Sequence, residues 1–154
     1  MIGTNSNDTL NGSSSADVLI GGGGADTING NAGADTITGG AGKDTMTGGA
    51  DADTFVFIAT ANSPAGSANR DVITDFLNGA DKIDLSAIDA NSSVSLDQAF
   101  LWGGLNVNTV ANSVTWSQDG VNTIVRGDVN GDAVADFEIQ LNGLHSLNAS
   151  DFIM

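Results

Sequence analysis

Aspartate falls at positions 8, 17, 26, 35, 44 and 53, every ninth residue, six times without a slip. Two residues after each comes an apolar side chain: Leu10, Leu19, Ile28, Ile37, Met46 and Phe55. Nine-residue units therefore begin at Gly3, Gly12, Gly21, Gly30, Gly39 and Gly48; the clearest reads Gly-Gly-Gly-Gly-Ala-Asp-Thr-Ile-Asn from Gly21 to Asn29. A short fixed period specifies a solenoid, because one unit cannot bury its own apolar face and stacked units can. Each unit divides into a six-residue turn and a three-residue strand. Glycine permits the left-handed backbone angles of the turn, and strand alternation points the apolar middle residue inward. A flexible Gly/Asp linker would not keep that residue in register.

Two units make one coil, so units 1, 3 and 5 stack on one side and units 2, 4 and 6 on the other. Asp8, Asp26 and Asp44 then form one column, and Asp17, Asp35 and Asp53 the opposite one. Carboxylates stacked at about 4.8 Å repel one another unless a cation lies between the turns. Carboxylate plus carbonyl oxygen is the donor set preferred by calcium, a hard ion. The candidate ligands are these six aspartates, with the carbonyls of Gly21, Gly22, Gly24, Gly30, Gly33, Gly39, Gly40, Gly42, Gly48 and Gly49. Units 1 and 2 depart from the pattern, with Thr4, Ser6, Ser13 and Ser15 where glycine is usual. The tightest sites are expected between units 3 and 5 and between 4 and 6, with the N-terminal coil fraying. Unit 6 puts Asp51 at a left-handed position that Asp tolerates better than most residues.

These units resemble the RTX nonapeptide, Gly-Gly-x-Gly-x-Asp-x-apolar-x, and the resemblance implies a calcium-bound parallel β-roll. After Phe57 the glycine period stops, and residues 58–69 read as a surface loop. The phase survives: Asp71 lies eighteen residues beyond Asp53, and Asp81 sits in Gly79-Ala80-Asp81-Lys82-Ile83. Asp71 and Asp81 are the next candidate calcium ligands, with Asp75 and Asp84 as turn caps. The run from Asp53 to Phe57, through Asp71 to Phe76, to Asp81 to Ser86 is similar to the C-terminal domain of serralysin-type secreted metalloproteases. The same arrangement recurs in the R-modules of bacterial alginate epimerases. The segment Gly127-Asp128-Val129-Asn130-Gly131-Asp132 through Asp136-Phe137-Glu138-Ile139 fits as well. The fold implied is all-β: a parallel β-roll of nonapeptide repeats running into a β-sandwich-like C-terminal cap. The expected divisions are 1–57 for the six units, 58–86 for a degenerate continuation of the roll, and 87–154 for a β-rich cap.

Within the cap, Ser95 to Leu101 predicts a short helix capped by Ser95. Residues Val114 to Ser117 and Val121 to Arg126 flank Asp119-Gly120, a strong hairpin signal. Trp102 and Trp116 are expected in the core. Asp128, Asn130, Asp132 and Asp136 have the spacing of a calcium loop, although Ala133 stands where such loops need glycine. A hairpin turned by Asn130-Gly131 is the equal alternative.

Four Lys/Arg against nineteen Asp/Glu give a net charge of −15, and Glu138 is the one glutamate. Such a chain lacks a phosphate-neutralising patch for nucleic acid, and no apolar stretch approaches membrane-spanning length. Cysteine is absent and His145 is the single histidine, which excludes thiol chemistry and two-histidine metal centres. The zinc motif His-Glu-x-x-His of serralysin-like proteases has no counterpart, so catalysis by this chain alone is not expected.

The end Ser150-Asp151-Phe152-Ile153-Met154 resembles the uncleaved type I secretion signal of serralysin-like proteins. The expectation is a non-catalytic calcium-binding module of a secreted, extracellular protein of Gram-negative type. Its partners would be the type I export machinery and an upstream catalytic domain. Calcium, in several ions, is the expected cofactor. A polysaccharide- or surface-binding module is the alternative, with anionic polysaccharide disfavoured by charge. An ice-binding role for the outward threonines Thr9, Thr27, Thr36, Thr38, Thr45, Thr47 and Thr54 is a further one.

Overall fold

In the computed structural model, which describes residues 1–154, the six units give six strands. They are β1 (Thr9–Asn11), β2 (Val18–Gly23), β3 (Thr27–Ala32), β4 (Thr36–Ala41), β5 (Thr45–Ala50) and β6 (Thr54–Val56). Successive strands alternate between two sheets, as two units per coil demand. Leu10 pairs in parallel register with Ile28 and Ile28 with Met46; on the other side Leu19 pairs with Ile37 and Ile37 with Phe55. The apolar residue of every unit lies at most 3% exposed, between the sheets.

The roll continues with β7 (Asp71–Ile73) beside β5 and β8 (Lys82–Asp84) beside β6. The spacing from Asp53 misleads in one respect. Asp71 does not join that residue's column; Thr45 pairs with Val72, so Asp71 follows Asp44, and Asp81 follows Asp53. Strands must alternate sides, and the long connection 57–70, with a short 3₁₀ turn at Thr60–Asn62, absorbs one extra period before the chain re-enters the sheet.

The cap consists of β9 (Leu101–Leu105), β10 (Ser113–Gln118), β11 (Thr123–Gly127) and β12 (Phe137–Leu141). β12 pairs in parallel with β7, so these strands extend the first sheet in the order β1-β3-β5-β7-β12-β11-β10-β9. The Asp119-Gly120 hairpin joins β10 to β11 antiparallel, with Gly120 at φ +97°. The second sheet runs β13-β8-β6-β4-β2, where β13 (Phe152–Ile153) is the C-terminal strand. One cluster of 22 buried residues reaches from Leu10 through Phe55 and Trp116 to Phe152, and Trp102 packs against it. The fold is thus all-β, parallel through the roll, and no helix is long and apolar enough to cross a membrane.

The helix expected over residues 95–101 does not form. Leu96 has φ +79° and is 86% exposed, and Leu101 already begins β9. Side-chain and backbone bonds fix an irregular loop instead: Asp89 Oδ1 accepts from Asn91 and Gln98 N–H, and Ala90 N–H donates to the Gln98 carbonyl. These local bonds compete with helical ones.

Candidate metal centres

The turn of a unit is shaped at three positions. At the second and fourth, Gly22, Gly24, Gly33, Gly40, Gly42 and Gly49 have φ between +105° and +130°. Asn31 and Asp51 take the same region at +77° and +80°, Asp51 as its position predicts. At the first, Gly21, Gly30, Gly39 and Gly48 lie where an added Cβ would collide with the Oδ2 of the aspartate five residues on. For Gly21 and Gly30 it would also strike the carbonyl of Gly39 or Gly48 in the next coil. The missing side chain is therefore what lets carboxylate and carbonyl oxygens approach.

The aspartates stand in the two expected columns. Each donates its N–H to the Oδ1 of the next in its column, at 2.8–3.0 Å: Asp8 to Asp26, Asp26 to Asp44, Asp44 to Asp71, and Asp17 to Asp35, Asp35 to Asp53, Asp53 to Asp81. The other oxygen divides them into two groups. Asp26, Asp35, Asp44, Asp53 and Asp71 are buried, and their Oδ2 atoms have no hydrogen-bond partner. In Asp81 that atom accepts the Leu77 N–H at 2.8 Å. In Asp8 and Asp17 it accepts both the N–H (2.6 Å) and the hydroxyl (2.8 Å) of Thr4 and Ser13 respectively.

Buried polar atoms are almost always paired, so five orphaned carboxylate oxygens in two rows are places for a cation or a proton. No group of three or more acidic or histidine side chains converges. An ion held here must complete its shell with main-chain carbonyls, and an oxygen-only set of that kind suits a hard cation such as calcium. The electrostatics agree. Burial, with the charge of Asp44 beside it, pushes the Asp71 carboxyl up to about 8 against the hydrogen bond from Asp44. Burial and the charges of Asp81, Asp35 and Asp75 push Asp53 up to about 6, and burial also raises Asp44 and Asp81. Hydrogen bonds from Thr4 and Ser13 lower Asp8 and Asp17 instead.

Asp75 caps the turn of unit 6, accepting the N–H groups of Gly48 (2.9 Å) and Gly49 (2.8 Å), and Asp84 accepts the N–H and hydroxyl of Ser86. The loop at 128–136 is closed from within. Asp128 is buried; Asn130 and Gly131 N–H donate to its Oδ1 and Ala133 N–H to its Oδ2. Val129 N–H and Asn130 Nδ2 donate to Asp136. Ala133 does adopt the positive φ, +63°. Asp132 binds the Val134 N–H and is not drawn in. Asp151, unremarked in the repeat pattern, is buried and accepts from Gly79 and Asn148 N–H, tying the C-terminus to the end of the roll.

A parallel β-roll with two rows of unpaired carboxylates defines a class: repeat modules whose stacked turns line up carboxylate and carbonyl oxygens. Within it, the chain belongs to the family described as Peptidase M10 serralysin C terminal, whose model matches residues 3–154. Two solution structures of mannuronan C5-epimerase subunits from Azotobacter vinelandii are similar. AlgE6R3 is 31% identical with a TM-score of 0.72, over 98% of this chain and 80% of that one. AlgE6R2 is 32% identical with a TM-score of 0.69, over 100% and 91%. No curated protein matches.

Proposed function

We propose that the chain is a non-catalytic accessory module of a secreted bacterial protein that folds when calcium fills its two aspartate columns. The observation that carries this reading is the set of five buried, unpartnered carboxylate oxygens. Asp26, Asp35, Asp44, Asp53 and Asp71 would hold the ions, with turn carbonyls such as those of Gly39 and Gly48. Where ligands assemble only in the folded chain, binding free energy becomes folding free energy. In a cytosol poor in free calcium the self-repelling roll stays open and can thread a type I exporter; outside, calcium closes it and stabilises an attached enzyme. The C-terminal Asp151-Phe152-Ile153-Met154 would be the export signal.

Polysaccharide binding, which the likeness to epimerase subunits raises, has less support. Arg70 and Arg126 both pair with Glu138, at 3.1 and 3.0 Å, and Lys43 and Lys82 donate to the carbonyls of Ser67 and Ser150. Two arginines that share one glutamate and two separate lysines are few cations among nineteen acids to meet a polyanion.

The test is far-UV circular dichroism of chelator-stripped protein titrated with calcium, with magnesium as control. A cooperative gain of β signal with calcium alone is expected. A spectrum already folded without calcium, and indifferent to it, overturns the proposal.

A further inference from the structure

The two aspartate columns do not end as they run. Asp8 and Asp17 keep their places in the ladder, yet their free oxygens are already taken by Thr4 and Ser13. The two turns, nine residues apart, are built alike. In each the second residue gives its N–H and its hydroxyl to the carboxylate, and the same hydroxyl accepts the N–H of the fourth, Ser6 or Ser15, at 3.2 Å. No residue before Gly22 has a positive φ, whereas the second and fourth positions of units 3 to 6 all do. A β-branched threonine is a poor occupant of that region. Thr4 thus stabilises the alternative turn by its shape as well as by its hydroxyl.

We propose that the ion array of this roll begins at the third unit, and that Thr4 and Ser13 set its limit by capping Asp8 and Asp17 with hydroxyl and amide in place of an ion. The first coil is then a metal-free lid, formed by the same repeat that binds metal further on. In place of a cation, two charge-assisted hydrogen bonds stabilise the Oδ2 of each carboxylate in its ionised form. The lid's sequence signature is hydroxyl residues at the second and fourth positions of a unit that keeps its aspartate and its apolar residue. This inference rests on the calcium reading above and refines it.

The test counts bound calcium by isothermal titration and by native mass spectrometry of the full chain. Asp8→Asn with Asp17→Asn is expected to leave the number of ions unchanged, while Asp35→Asn or Asp44→Asn lowers it. The reverse substitution tests the limit directly. Thr4→Gly, Ser6→Gly, Ser13→Gly and Ser15→Gly together should add one ion for each rebuilt turn, with the roll's β signal retained in calcium. Loss of ions from the Asp8/Asp17 variant overturns the proposal, as does a glycine variant that folds with an unchanged count. Wild-type protein that binds no calcium at all overturns the underlying reading, and is distinguished from either result because no variant is then needed to see it.

Discussion

At the residue scale, position one of each turn separates space from conformation. Gly30 does not need a positive φ; it needs the absence of a Cβ, because that atom would enter contact with Asp35 Oδ2 and the Gly48 carbonyl. Both partners are candidate ligands, so a methyl group there pushes them apart. Gly30→Ala is expected to raise the calcium concentration at the folding midpoint several-fold, since a shift of about 1.4 kcal/mol is tenfold in an equilibrium constant. Asp81→Asn should do less than Asp53→Asn, because Leu77 already binds the Asp81 oxygen that Asp53 leaves free. Calcium titrations followed by circular dichroism rank the three. Equal midpoints for Asp53→Asn and Asp81→Asn would contradict the division between capped and orphaned carboxylates. Both columns were legible in the sequence, because an exact period fixes which residues stack. The partner of each second oxygen was not. That depends on whether position two turns its N–H toward the carboxylate, and Thr4 and Ser13 registered only as departures from glycine.

At the element scale, the roll could be read from sequence and much of the cap could not. In β3 to β6 local chemistry and tertiary contact agree: the turn residues, the strand threonines and the single apolar residue repeat together. In residues 87–112 they do not. A cap residue, Ser95, predicts a helix over Ser95 to Leu101, but Leu96 and Leu101 face solvent and the segment is held by Asp89. Nor does sequence show that the chain's last strand joins the roll's second sheet. Phe152 pairs in register with Ile83, is buried, and its ring centroid lies 5.3 Å from that of Trp102. The C-terminus is thus a docked element of a sheet whose other strands carry the Asp35–Asp53–Asp81 column. Phe152→Ala is expected to cost about 3 kcal/mol, the low end for a buried phenylalanine because β13 is an edge, and to change Trp102 emission. Carboxypeptidase should release Met154, Ile153 and Phe152 from chelated protein and spare them in calcium. Equal release in both conditions would show that docking of the tail does not depend on calcium.

Across the whole molecule, a net charge of −15 is folded onto itself, and in the roll the carboxylates are lined up rather than dispersed. Protons and calcium are alternative ways to remove that repulsion, and they act in opposite pH ranges. Without metal, Asp53 titrates near 6 and Asp71 near 8, both above the usual value of 3.8 because burial and neighbouring aspartates penalise the charged form. A raised carboxyl pKa means the folded state holds its proton more tightly than the unfolded chain. The stability these groups contribute is therefore fully present below about 4 and is lost as pH rises through 6 and 8. In chelator, the β signal should be larger near pH 4.5 than near pH 8, with a limb that falls from about pH 4 to 8 and to which Asp71 alone contributes above about 6. Calcium is expected to reverse the dependence, because a metal takes ionised carboxylates and is released as they protonate. Circular dichroism against pH, with and without calcium, reads both limbs. Asp71→Asn keeps the shape of the side chain without the charge, and should remove the upper part of the metal-free limb. General relief of surface repulsion would not show this: exposed carboxylates titrate near 4, and replacing one buried aspartate would leave their contribution where it was. A metal-free profile that is flat from pH 5 to 8, or unchanged by Asp71→Asn, would mean that the columns are not what holds the apo chain open.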